Sequence, residues 1–193
     1  MIHNKKIILA SQSPRRQELL AQTGITFEVE TRPVEENFPN DLTREKISEY
    51  LAKLKAEAFA GIHAEEIILT ADTIVWHQNQ ALGKPKNAEE ARNMLQSLSG
   101  KSHEVITSVC LKSNTDYLVF SDITQVFFRK LSDKEIDYYI SNYQPFDKAG
   151  AYGIQEWIGA VGIEKIIGSY NNVVGLPTEK LICELKNIGI YEL

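Results

Sequence analysis

This chain of 193 residues contains little cysteine, no excess of positive charge and no long apolar stretch. The two cysteines, Cys110 and Cys183, lie far apart and lack C-x-x-C spacing, so we expect free thiols in a reducing cytoplasm. The net charge of -5 argues against a general affinity for nucleic acid or for an anionic membrane. No apolar run approaches the length of a membrane span, so no transmembrane segment is expected.

A Walker A loop and a zinc site are not expected either. No G-x-x-x-x-G-K-[ST] pattern occurs, and the four histidines show no ligand spacing. Hydrophobic residues at 43% and charged residues at 24% are ordinary for a globular protein, which argues against disorder. The chain mixes strand and helix patterns without a repeat or a linker. We therefore predict one α/β domain over residues 1–193.

The first strand and the turn after it are the segment of the sequence that says most about function. An apolar run over residues 7–10 predicts a buried strand, and a helix should follow at once. Ser13 can cap that helix with its hydroxyl, and Pro14 suits the first helical position. Arg15 and Arg16 then face the positive end of the helix dipole, at a cost of roughly 0.3–1 kcal/mol each. A bound anion would remove this cost, because free N–H groups, serine hydroxyls such as that of Ser11 and the two guanidinium groups would converge on it. The alternative is a solvated arginine pair.

Two acidic residues and one lysine come next. A second strand is predicted over residues 27–31, and the loop after it carries Glu35 and Glu36. These carboxylates are either solvated or hold a divalent cation. Thr43 is positioned to cap the following helix, on which Lys55 continues an apolar row. Such a lysine either extends to water or reaches a charged ligand in a pocket.

Asp72 interrupts an apolar strand over residues 67–76. An unpaired carboxylate buried there would cost several kcal/mol, so Asp72 needs an arginine, a lysine, a metal ion or solvent as its partner. A structural ion pair is the alternative to a functional role. Thr73 follows directly, and consecutive residues of a regular strand point to opposite faces. Both can therefore line one pocket only at a strand end or a bulge.

Further along, local patterns predict alternating helices and strands. Lys84 precedes Pro85, which cannot donate to a strand ladder, so Lys84 is expected on a loop beside the strand of Asp72. The other predicted elements are a helix opened by Asn87 and Glu90, strands over residues 104–111 and 117–129, a helix opened by Ser132 and Glu135, a glycine-punctuated loop over residues 147–155, a strand over residues 161–167, a turn over residues 168–172, and a helix from Pro177 to near Gly189.

Several of these stretches occur in a fixed order that spans nearly the whole chain. They are residues 9–20, Glu35 and Glu36, Lys55, residues 71–73, residues 83–85, residues 98–100 with His103, residues 147–155, and residues 168–170 with residues 174–177. In this order they resemble the motifs of the Maf family of nucleoside triphosphate pyrophosphatases. The resemblance implies an elongated α/β fold of the Maf and ITPase-like type, with a mixed sheet, flanking helices and a central nucleotide-binding cleft.

The resemblance also implies an activity and a role for each matched residue. The activity is cytoplasmic hydrolysis of a small-molecule nucleoside triphosphate to the monophosphate and pyrophosphate with a divalent cation, Mg or Mn. Within the family, the matched positions mark the branch that acts on dTTP and UTP. The implied roles are proton acceptor or metal ligand for Asp72, metal ligand for Glu36, phosphate binding for Ser11, Arg16, Lys55 and Lys84, and substrate specificity for Arg15, Thr73 and Gln155.

Two other functions remain open at this point. One is a 7-methyl-GTP pyrophosphatase of the same family. The other is a nucleotide-binding regulator of cell division without turnover, whose sequence mark would be the loss of Asp72 or Lys84. Both residues are present. No nucleic-acid or membrane partner is expected, and the oligomeric state is open, a homodimer included.

Overall fold

The structure, a computed structural model, describes residues 5–191. The chain divides into two compact units. The first comprises Met1–Asp72, Thr107–Asp122 and Gly175–Leu193, and the second comprises Thr73–Ile106 and Ile123–Val174. The organisation as one domain therefore stays a prediction. Within the described residues, no helix is both long and apolar enough to cross a membrane.

Helices and strands alternate along most of the chain, as the sequence predicts for an α/β protein. Among residues 5–191, one 3-10 turn lies at Ala149–Ala151, in the second half of the chain. The elements are β1 (Lys6–Leu9), α1 (Pro14–Gln22), β2 (Phe27–Val29), α2 (Glu45–Glu57), β3 (Glu66–His77), β4 (Gln80–Leu82), α3 (Ala88–Leu98), β5 (Ser102–Lys112), β6 (Tyr117–Phe128), α4 (Asp133–Tyr143), α5 (Trp157–Gly162), β7 (Ile163–Ile167), α6 (Tyr170–Val174) and α7 (Thr178–Asn187).

The strands form one mixed seven-stranded sheet in the order β2-β1-β3-β5-β6-β7, and β4 pairs with β3. Strand β1 is parallel to both β2 and β3, so Ile7, Ile8 and Leu9 are buried between neighbours and form a continuous apolar run, whereas Lys6 at its start is exposed. The β3–β4 and β6–β7 pairs are antiparallel. The predicted fold class, a mixed α/β sheet with helices, is confirmed.

In the first unit, α2 packs against β3 through apolar and polar contacts. Ile47 and Leu51 are buried on one side of the helix, as their spacing predicts. The buried Thr70 hydroxyl donates to the Ala52 carbonyl oxygen at 2.6 Å. A threonine of β3 thereby forms a hydrogen bond with a carbonyl oxygen of α2, and this bond links the helix to the strand.

In the second unit, α3 and α4 cover a core that includes Leu95, Ile136 and Phe128. Both helices begin with the predicted caps. The Asn87 side chain accepts from the Glu90 backbone N–H, and Ser132 with Glu135 forms a capping box.

Two predicted helix caps are wrong. Ser13 occupies the N-cap position of α1, but it makes no side-chain cap bond; its own N–H instead donates to Ser11 Oγ at 3.2 Å. Helix α2 begins at Glu45 after Arg44, whose φ of 52° turns the chain, so Thr43 lies outside the capping position. The start of α1 at Pro14 is confirmed.

Two later predictions are also corrected. The predicted strand over residues 161–167 begins only at Ile163, because its ladder partner β6 ends at Phe128, which pairs with Ile163. The residues before it form α5 instead. Residues 168–172 were predicted as a turn, but from Tyr170 onwards they form α6. The Ser169 hydroxyl accepts from the Asn172 N–H at 3.2 Å and so caps this short helix.

Candidate active site

Lys55 lies between two carboxylates of the first unit. Its Nζ is 2.6 Å from Asp72 Oδ1 and 3.1 Å from Glu36 Oε1. The Asp72 side chain is 8% exposed and the Glu36 side chain 47% exposed, so the pair with Asp72 is the one removed from water. The partner that a carboxylate in an apolar strand requires is thus a lysine.

The packing of α2 on β3 explains why these side chains meet. Ala52 and Thr70 fix the contact between helix and strand. Lys55 follows Ala52 by three residues and so lies on the same side of the helix, and Asp72 follows Thr70 by two residues on the same side of the strand. Lys55 is 17% exposed and bends toward the carboxylates rather than extending into water.

Arg16 belongs electrostatically to the same group. Its Nε donates to the Gly175 carbonyl oxygen at 2.8 Å. Burial lowers the pKa of the Arg16 guanidinium below its usual value, whereas the carboxylates of Asp72 and Glu36 raise it. The structure therefore brings together two cations and two carboxylates. We call Arg16, Glu36, Lys55 and Asp72 the charged cluster.

The remaining predicted residues of the first unit lie beside this cluster in sequence. Arg15 is half-buried in the first turn of α1, and its charge lowers the pKa of Arg16 further. Ser11 is buried; its hydroxyl accepts from the Ser13 N–H, and its carbonyl oxygen accepts from Gln17 Nε2 at 3.2 Å. These bonds hold the turn between β1 and α1.

The donor set of the charged cluster fits a divalent cation of the Mg²⁺ type. Such ions take oxygen ligands and often use one or two carboxylates together with water and substrate phosphates. Asp72 and Glu36 both approach the Lys55 ammonium, so each presents an oxygen toward the same position. Among residues 5–191 there is no group of three or more metal-ligating His, Cys, Asp or Glu side chains.

In the second unit, residues 147–155, which we call the glycine loop, connect the other predicted positions. The Gly150 N–H donates to the Gly83 carbonyl oxygen at 3.1 Å, next to Lys84, which is exposed on the loop between β4 and α3. Gly150 has a φ of 69°, and an added Cβ would lie 2.9 Å from the Val75 side chain on β3. Only glycine permits this approach. The glycine loop is thereby held against the strand that carries the half-buried Thr73.

Gln155 is exposed at the end of the glycine loop, on the turn that leads into α5. The next residue, Glu156, makes contacts that the sequence did not reveal. Lys148 Nζ lies 3.0 Å from Glu156 Oε1, and the Tyr139 hydroxyl donates to Glu156 Oε2. The Gly153 N–H donates to that same hydroxyl at 3.0 Å. Burial, and then the bond to Glu156, raise the pKa of the Tyr139 hydroxyl, which keeps it a donor.

The structure thus groups Arg16, Glu36, Lys55 and Asp72 in the first unit. In the second unit it places Thr73, Lys84 and Gln155 on segments that contact one another. Tyr139 is a buried residue of α4, and no spacing in the sequence links it to Glu156. The assigned catalytic, phosphate, specificity and metal roles stay predictions.

Known proteins provide an independent comparison. Residues 6–188 match the family of Maf-like proteins. A dTTP/UTP pyrophosphatase of Flavobacterium psychrophilum is 58% identical over 185 residues, which cover 95% of each chain. A dTTP/UTP pyrophosphatase of Flavobacterium johnsoniae is 56% identical over 177 residues, or 91% of each chain. The solved Staphylococcus aureus Ham1 protein aligns with 64% of this chain and 72% of its own, at 14% identity and a TM-score of 0.43. By its match over residues 6–188 and by the identity to these relatives, the chain belongs to the Maf family.

Proposed function

We propose that the protein is a nucleoside triphosphate pyrophosphatase that hydrolyses dTTP and UTP to the monophosphate and pyrophosphate. The observation that carries this proposal is the 58% identity, over 95% of the chain, to a dTTP/UTP pyrophosphatase. The role is removal of nucleotides from the cellular pool, modified ones included. We assign the reaction to the cytoplasm, with a nucleoside triphosphate as the small-molecule substrate. A homodimer is the oligomeric state to be tested.

The polyphosphate is the part of the substrate that the cations bind. Hydrolysis between the α- and β-phosphates leaves negative charge on the departing pyrophosphate, and preorganised cations lower the energy of that transition state. We assign this charge to Arg16 and Lys55 of the charged cluster, and we assign Ser11 and Lys84 as further phosphate ligands. The N–H groups at the start of α1 favour an anion at the same place.

Asp72 is the residue to which we assign water activation. Water attacks the α-phosphorus, the bond from that phosphorus to the bridging oxygen breaks, and a carboxylate accepts the proton of the water. Asp72 is nearly buried beside Lys55, where its orientation is defined by the 2.6 Å contact. Glu36 and Asp72 would hold the divalent cation, which when bound supplies positive charge to the phosphate oxygens.

Base choice is assigned to the glycine loop. Uracil and thymine present a carbonyl acceptor and an N–H donor on one edge, and the amide of Gln155 offers the matching donor and acceptor. Cytosine presents an amino group and a bare ring nitrogen there, so a fixed amide is mispaired against it. Arg15 and Thr73 complete the proposed specificity positions.

Product analysis tests this function directly. The protein is incubated with UTP, dTTP, CTP or 7-methyl-GTP in the presence of Mg²⁺ or Mn²⁺, and pyrophosphate and orthophosphate are measured separately. We expect pyrophosphate and monophosphate from UTP and dTTP. Diphosphate plus orthophosphate would mean that a different bond is cleaved. Preferred turnover of 7-methyl-GTP would support the other branch of the family, and tight binding without turnover would support a regulator.

A further inference from the structure

Glu156 receives two donors from different elements, although it adjoins an exposed residue. Lys148 reaches one carboxylate oxygen and Tyr139 on α4 reaches the other. The Lys148 side chain is 9% exposed and the Glu156 side chain 23%, so this ion pair is more shielded than a surface pair. We call Tyr139, Lys148 and Glu156 the loop anchor.

The loop anchor also holds the backbone just before Gln155. The Tyr139 hydroxyl donates to Glu156 and at the same time accepts from the Gly153 N–H. A Cβ added to Gly153 would lie 3.0 Å from Lys148 Cε and from Glu156 Cδ, so the loop backbone packs directly on the ion pair. Gln155 is thereby bracketed, because the residue after it and the residue two positions before it bind the same hydroxyl.

We propose that Tyr139, Lys148 and Glu156 are positioning residues that orient Gln155 and so set the preference for uracil over cytosine. The proposal rests on the proposed function. A polar side chain rejects a mispaired base strongly only when it cannot reorient to suit that base. A glutamine on an exposed turn has several accessible rotamers, so its selectivity depends on a backbone that is held in place.

Removal of one hydroxyl tests the proposal. Tyr139→Phe keeps the ring but deprives Glu156 and Gly153 of a common partner. Tyr138→Phe is the matched control, since it removes a hydroxyl from the exposed neighbouring ring on the same helix. The measurement is kcat and KM for UTP and for CTP in wild type and both variants, together with a thermal melt. We expect Tyr139→Phe to lower the UTP/CTP ratio of kcat/KM about tenfold, since small misplacements of a positioned group can cost up to about a hundredfold.

Glu156→Gln provides a second variant in case Tyr139→Phe fails to fold. It keeps the shape of the side chain but has one carbonyl oxygen for two donors. We expect the same fall in the UTP/CTP ratio. The positioning proposal would be overturned, and the proposed function kept, if the wild type hydrolyses UTP and the folded variants keep the wild-type UTP/CTP ratio. The same holds if kcat/KM falls equally for both nucleotides. Wild type that releases no pyrophosphate from UTP would overturn the proposed function, and this inference with it.

Discussion

In the first unit, side-chain ion pairs join Lys55 to two carboxylates of the charged cluster, whereas in the second unit backbone amides hold the glycine loop in addition to the side chains of the loop anchor. Lys55 meets its two carboxylates through the end of a long flexible side chain. The glycine loop is bound through the Gly150 and Gly153 amides, and it lies so close to Val75 that a Cβ added to Gly150 would be 2.9 Å from that side chain. A long lysine side chain has several rotamers, whereas a backbone that is hydrogen-bonded and closely packed has fewer accessible conformations.

In the proposed function, the charged cluster binds the phosphates of the nucleotide and the glycine loop binds its base. Phosphates are alike in every nucleoside triphosphate and are recognised by charge, which depends weakly on exact direction. Bases differ from one another by the direction of a few donors and acceptors, so their recognition requires fixed geometry. We therefore expect changes in the charged cluster to affect all nucleotides alike, and changes around the glycine loop to affect one base against another.

The largest effect is expected from Asp72→Asn. This change removes the proposed proton acceptor while keeping the shape of the side chain, and kcat for UTP should fall at least about a hundredfold. Asp41→Asn, on an exposed loop of the same unit, is the control. Steady-state kinetics and circular dichroism measure both variants. A folded Asp72→Asn variant with nearly full activity would reduce Asp72 to a structural residue.

A smaller and uniform effect is expected from Lys55→Met. It deprives Asp72 and Glu36 of their shared ammonium and removes a proposed phosphate ligand. A lost charged hydrogen bond costs roughly 1.5–3 kcal/mol, so kcat/KM should fall about tenfold to a hundredfold. UTP and CTP should be affected by the same factor. Lys53→Met, whose lysine is half-exposed on the same helix, should retain full activity.

Unequal loss for UTP and CTP in Lys55→Met would break the comparison between the two units. It would show that the charged cluster also senses the base. The ratio of the two kcat/KM values is therefore the quantity to report, and it should equal the wild-type ratio in both lysine variants.

Local signals in the sequence predicted the ends of several helices. The Asn87 cap and the Ser132–Glu135 box involve residues three apart, so their geometry depends on a single turn of chain. The end of the predicted strand at residues 161–167 depends on where the partner strand stops, which lies far away in sequence. Helix α6 has a local cap at Ser169, but its five residues are too few to show a helical spacing of apolar positions, so the segment was predicted as a turn.

The candidate site divides in a similar way. The position of Lys55 on the apolar row of its helix, and the need of Asp72 for a partner, were predictable from spacing and from the cost of burial. That these two residues pair with each other depends on the packing of α2 on β3 through Thr70 and Ala52. The loop anchor was not predictable, because Tyr139 looks like an ordinary core residue of an amphipathic helix.

A moderate effect, restricted to one base, is expected from Gln155→Glu. A carboxylate accepts from the ring N–H of uracil but cannot donate to its carbonyl oxygen, so kcat/KM for UTP should fall about tenfold while that for CTP changes less. Gln125→Glu, on an exposed position of β6, introduces the same charge and is the control. If the ratios of kcat/KM among UTP, CTP and 7-methyl-GTP were the same in Gln155→Glu as in wild type, Gln155 would have no role in base recognition. The proposed enzymatic activity would be unaffected by that result.

The smallest effect concerns the pH dependence of stability. His103 on β5 is buried, and its Nε2 lies 2.7 Å from the hydroxyl of Tyr152 in the glycine loop. Burial, and then the nearby His77, lower the pKa of His103 from 6.5 to about 3. Below pH 6.5 the unfolded chain therefore binds a proton that the folded protein does not, and stability is lost as the pH falls from there toward 3.

Between pH 7 and pH 6 this single group should lower the free energy of unfolding by about 0.7 kcal/mol. His103→Gln keeps a hydrogen-bonding group near Tyr152 but does not titrate. Between pH 7 and pH 6 the variant should therefore lose about 0.7 kcal/mol less free energy of unfolding than the wild type. His63→Gln, on an exposed position, should behave as wild type. Urea unfolding at the two pH values measures the difference. If His103→Gln and wild type lost equal stability, His103 would bind protons equally in the folded and the unfolded protein over this interval, and burial beside the glycine loop would not lower its pKa.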